Sequence, residues 1–96
     1  MLKFKGSVRV DLIALNNYIL RILEVVLEVF DSATVTSISD GKHGNNSLHY
    51  SGLAVDFRIW NVKNLDKKIK LIKAKLGIDY DVVTEKNHLH VEYDPK

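Results

Sequence analysis

The chain has 96 residues, enough for one domain and no more. Hydrophobic residues make up 46% and charged residues 27%, which suits a globular core, and a net charge of +2 is too small to imply nucleic-acid binding. With no cysteine, disulfides, thiolate nucleophiles and cysteine-ligated zinc are excluded.

The first ten residues are mixed in character, with Val8-Arg9-Val10 readable as a short strand or an extended lead-in. No signal peptide is read there, because no apolar run with a small-residue cleavage site follows Met1-Leu2-Lys3-Phe4-Lys5. Asp11 is placed to cap a helix over about 12–30. Its polar positions Asn17, Arg21, Glu24, Glu28 and Asp31 form one narrow stripe, so the helix is expected to pack on most sides and to centre the core. Asn16, Asn17, Arg21, Glu24 and Glu28 interrupt the longest apolar segment, residues 12–30, and no membrane span is expected.

Thr34-Val35-Thr36-Ser37-Ile38 is β-branched and predicts a strand. Residues 39–47 carry the turn signals of a loop. In 53–59 the alternation is clean: Leu53, Val55, Phe57 and Ile59 face one way, and Ala54, Asp56 and Arg58 the other. Asn64 is expected to cap a second helix over about 65–76, with Leu65, Ile69, Ile72 and Leu76 at helical spacing and Gly77 as its stop. Lys67, Lys68, Lys70, Lys73 and Lys75 crowd that helix and read as a solvated face, with attraction of polyanions as the sharper alternative. Tyr80–Thr84 predicts a strand, Glu85-Lys86-Asn87 a turn, and His88–Tyr93 a closing strand.

All four histidines, His43, His49, His88 and His90, fall in two stretches, as a metal site requires. His49 and Asp56 stand seven positions apart, with Gly52 allowing a turn between them. In the closing strand His88, His90 and Glu92 share one face, while Leu89, Val91 and Tyr93 share the other. Three protein ligands plus water is the pattern of catalytic zinc, and imidazole and carboxylate are suitable donors. His49, Asp56 and His90 are therefore the expected ligands, with His88 beside the metal. Glu85, in the turn, is the nearest carboxylate able to move a proton; Glu92 is a second candidate, or a hydrogen-bond partner for a ligand histidine. His43 is a further candidate to line the cleft.

At these residues the chain resembles the M15 group of zinc peptidases: D-alanyl-D-alanine carboxypeptidases, dipeptidases and phage L-alanyl-D-glutamate endolysins. Ser47-x-His49-x-x-Gly52-x-Ala54-x-Asp56 matches the SxHxxGxAxD motif of that group, and His88-x-His90 matches the HxH motif of its wider lysostaphin-like and hedgehog relatives. The resemblance covers about residues 34–94, and the compact chain is similar to phage or prophage versions. It implies an α+β fold, a small antiparallel sheet packed on two helices, with Zn2+ held by His49, Asp56 and His90. It also implies cleavage of peptidoglycan stem peptides containing D-amino acids; the chain is expected to be a monomer. Glu85 would shuttle the proton and His88 would stabilise the oxyanion. Ser47 belongs to the matched motif and, with Lys42 and Arg58, is a substrate-binding candidate. Lys42 or Arg58 would replace a family arginine that has no counterpart in Thr36–Asp40.

The chain departs from the family pattern at Asn87, where many members carry Asp or Glu three positions before the ligand histidine. An alternative register restores that spacing, with Glu85 as base and His88 as ligand. Two competing functions follow: a catalytically impaired zinc-binding domain that binds cell-wall peptide or a partner, and a structural virion component with no metal.

Overall fold

The structure is a computed structural model that describes residues 1–5, 17–39 and 54–95. Five strands and two helices follow one another as β1 (Leu2–Phe4), α1 (Asn17–Phe30), β2 (Ala33–Ser39), β3 (Ala54–Arg58), α2 (Leu65–Leu76), β4 (Tyr80–Thr84) and β5 (His88–Tyr93). They build one sheet in the order β1-β2-β3-β5-β4. The α+β class and the sheet on two helices are as expected. The three pairings from β2 to β4 are antiparallel, and β1 adds a parallel edge beside β2.

Both helices lie against one face of the sheet. Ile19, Ile22, Val25 and Val26 of α1 and Ile69 and Ile72 of α2 share a core with Val35, Val55, Phe57, Val82, Leu89 and Val91. Strand residues alternate faces, so the buried set Val55, Phe57, Leu89 and Val91 sends Asp56, Arg58, His88 and His90 to the opposite face. This placement positions the candidate site.

The first helix differs from expectation in its exposure. Tyr18 and Leu20 are 42% and 48% exposed, so α1 buries one side and not most of its surface. A helix in a two-layer domain has only the sheet and one neighbouring helix to cover it. Tyr18 is partly covered all the same, stacked on Tyr93 with ring centroids 3.8 Å apart. Asp31, in left-handed backbone at φ 65°, follows the last helical residue, Phe30. Asp11, residues 12–16 of the expected helix and Val8–Val10 lie outside the described residues.

The second helix matches its expected span, and Gly77 ends it at φ 87°, donating its N–H to the Lys73 carbonyl. Asn64 occupies the N-cap position but its side chain makes no cap hydrogen bond, contrary to expectation. The reason is its left-handed backbone (φ 55°); a capping side chain needs extended backbone at that residue.

In β2 a bulge falls between Val35 and Ser37, opposite Phe57 and Asp56. Val35 and Ile38 are three residues apart and would face opposite ways in a regular strand. The extra residue brings both toward the helices and places Ser37 beside Asp56 on the outer face. The Thr36 hydroxyl donates to the Asp56 main-chain carbonyl at 3.3 Å, tying the bulge to β3.

Candidate metal centre

The outer face of β3 and β5 is built by register. Asp56 lies directly opposite His90, Arg58 opposite His88, and Ala54 opposite Glu92. Asp56 and His90 come from positions 34 apart in sequence, yet two adjacent strands hold them with no loop needed.

Asp56 Oδ1 is 2.6 Å from His90 Nδ1 and 3.9 Å from His88 Nε2. The other ring nitrogen of His90, Nε2, is 3.1 Å from Glu92 Oε1. His90 thus has a carboxylate at each nitrogen. Burial pulls its pKa down, but hydrogen bonds to Glu92 and Asp56, with the charges of both, push it above the ordinary histidine value. His88 Nδ1 is 2.9 Å from Asn87 Oδ1.

The donor chemistry fits zinc. Imidazole nitrogen and carboxylate oxygen are the donors such an ion takes, and Asp56 faces both imidazoles. Both ring nitrogens of His90 are hydrogen-bonded to carboxylates, Nε2 to Glu92 and Nδ1 to Asp56; to hold an ion, Nδ1 would exchange its Asp56 hydrogen bond for the metal while Glu92 kept the ring oriented through Nε2. His49, the third expected ligand, lies outside the described residues, as do His43, Lys42 and Ser47.

Of the remaining expected residues, Glu85 is exposed in the β4–β5 turn, where its main-chain N–H donates to the His88 carbonyl at 2.8 Å. Arg58 lies beside the site, its guanidinium carbon 5.2 Å from the centroid of the Trp60 ring. Trp60 is 73% exposed and was not among the expected site residues. Its position just beyond the alternating strand was the available signal.

A second acidic group was also missed. Among the described residues, Asp81, Glu92 and Asp94 each bring a carboxylate oxygen within 4.8 Å of the others. Asp81 is opposite Glu92 in the β4–β5 register, a relation that needs strand pairing to be seen.

Comparison with protein-family models, curated proteins and solved structures finds no match.

Proposed function

We propose that this chain is a zinc metallopeptidase that cleaves peptidoglycan stem peptides containing D-amino acids. The observation that carries the reading is the Asp56–His90 contact at 2.6 Å, with His88 converging on the same oxygen. It joins the end of the SxHxxGxAxD motif to the HxH motif, two stretches whose resemblance to zinc peptidases is independent of strand pairing. Asp56 and His90 would hold the ion together with His49. When bound, zinc polarises a scissile carbonyl and activates water.

The chain's own residues supply the rest. Glu92 orients the His90 ring through Nε2. Glu85 is the carboxylate available to carry a proton to the leaving amine. Arg58, braced on Trp60, is the cation available to the carboxylate of a peptide substrate.

A second reading is a zinc-binding domain without peptidase activity. The observation favouring it is the position of Glu85, exposed in the turn rather than packed into the outer face. One experiment separates the two. Zinc content is measured on purified protein, which is then offered peptidoglycan and short L-Ala-D-Glu and D-Ala-D-Ala peptides. Stoichiometric zinc with cleavage supports the peptidase. Zinc without cleavage, while a known enzyme is active in the same assay, leaves the binding domain. Absence of zinc after dialysis against it ends both.

A further inference from the structure

We infer that Asn87 is a positioning residue that fixes the tautomer of His88, so that neutral His88 presents the Nε2 lone pair toward Asp56. The inference deepens the reading of the site as a metal centre and rests on it for its function, though not for its geometry. From the sequence alone Asn87 is a gap, an amide where a carboxylate is expected. In the fold it has a task of its own.

A neutral imidazole carries one proton, and whichever nitrogen donates leaves the other as an acceptor. Asn87 offers its carbonyl oxygen to Nδ1 of His88 at 2.9 Å. An amide oxygen only accepts, so Nδ1 holds the proton. Nε2 is then the acceptor, and it is the nitrogen 3.9 Å from Asp56 Oδ1. The two neighbours of the ring agree in one respect: the orientation that bonds Asn87 also turns Nε2 toward the site.

The consequence concerns the chemistry of His88. A lone pair at Nε2 can bind a cation or take a proton from an acidic water. It cannot donate a hydrogen bond to an oxyanion unless the ring is first protonated. If water is the acid, its O–H bond breaks with the electron pair left on oxygen as hydroxide, the proton bonds to Nε2, and the ring becomes an imidazolium that keeps its Nδ1–H on Asn87. The role of His88 thereby moves from oxyanion partner toward proton acceptor. The contrast with His90 is built into the strand: two residues along the same face, one ring lies between two carboxylates and the other is held by an amide.

The test is a two-bond 1H–15N correlation spectrum of the histidine rings in metal-free, 15N-labelled protein at about pH 8, above the ordinary histidine range. His88 is assigned from its loss in His88→Gln. The expected result is a protonated Nδ1 and an unprotonated Nε2. Asn87→Ala should shift His88 toward the other tautomer, and Asn87→Asp, which restores an acceptor, should return it. Circular dichroism confirms that each variant is folded, which an exposed turn position permits. A wild-type His88 protonated at Nε2, or a tautomer unmoved by Asn87→Ala, overturns the inference. Zinc alone is then titrated into the wild type and Asn87→Ala. Because His88 stands beside the ion and is not one of the three proposed ligands, the variant is expected to bind zinc within a fewfold of the wild type, the tautomer change showing in the ring spectrum and not in the affinity. If the tautomer is as inferred but neither protein binds zinc, the peptidase reading fails and the assignment of Asn87 stands. Wild-type protein that binds zinc with His88 in the other tautomer gives the reverse.

Discussion

The two faces of the β3–β5 pair differ sharply in burial and chemistry. On the inner face Val55, Phe57, Leu89 and Val91 are 0–1% exposed. On the outer face, one residue out of step, Asp56, Arg58, His88, His90 and Glu92 are all half-buried. One backbone carries both sets. The inner set is stabilised by burial and makes the strand positions invariant in space. The outer set uses that rigidity to hold charged groups at short range. Stability and chemistry are thus separable by substitution along the same strands.

The largest expected effect is on the inner face. Leu89→Ala should cost about 2–5 kcal/mol of unfolding free energy, from lost transfer and a cavity. Urea denaturation measures it, and the comparison would break if Arg58→Ala, on the outer face opposite the neighbouring His88, cost as much. On the outer face, Asp56→Asn and His90→Ala should each abolish stoichiometric zinc binding while leaving the far-ultraviolet circular dichroism of the metal-free protein unchanged. Retention of zinc by both variants would remove this face as the metal centre.

The pH dependence sharpens the contrast further. Burial opposes the charge on His90, but Glu92 and Asp56 more than offset it, and the folded pKa lies above the ordinary value. A raised folded pKa contributes stability that is full below the unfolded value, about 6.5, and is lost as pH rises through the folded one. Metal-free protein should therefore lose this increment on going from mildly acidic to mildly alkaline pH, and His90→Gln should remove that part of the profile. Zinc competes with the same proton, so its affinity should fall as pH drops through the raised pKa. A zinc affinity flat across that window would contradict the placement of His90 as ligand. The smallest effect is expected from Trp60→Ala. It removes the brace of Arg58, a contact of about 0.5–1 kcal/mol at an exposed site, so it should lower the unfolding midpoint by no more than a few degrees and, on the proposed reading, raise KM for a carboxylate-bearing peptide a fewfold.

Much of this is legible in the sequence. The alternation in 54–59 and 88–93 assigned the faces correctly because a strand with one buried side must alternate. The second helix and its Gly77 stop were legible from helical spacing and from the residue type that tolerates positive φ. The short strand Leu2–Phe4 was not, since three residues carry too little pattern, and its pairing is decided by β2. Nor was the β2 bulge, which converts the uneven spacing of Val35 and Ile38 into a common face. At the site, Asp56 and His90 were legible as a pair through motif spacing. Their contact, the Glu92 bond and the Asn87 bond depend on strand register and on side-chain orientation, neither of which a linear pattern specifies.

The register also orders events in folding. The β4–β5 hairpin closes through a turn of three residues, the kind of local contact that forms with little loss of chain entropy. Asp56 and His90 are separated by 34 positions and meet only when β3 docks on that hairpin. A chain with both helices and the hairpin formed, but β3 undocked, would hold His88 and Asn87 side by side and still lack a metal centre. On the proposed reading, zinc binding would report completion of the long-range pairing, and the appearance of a bound ion during refolding would time that step.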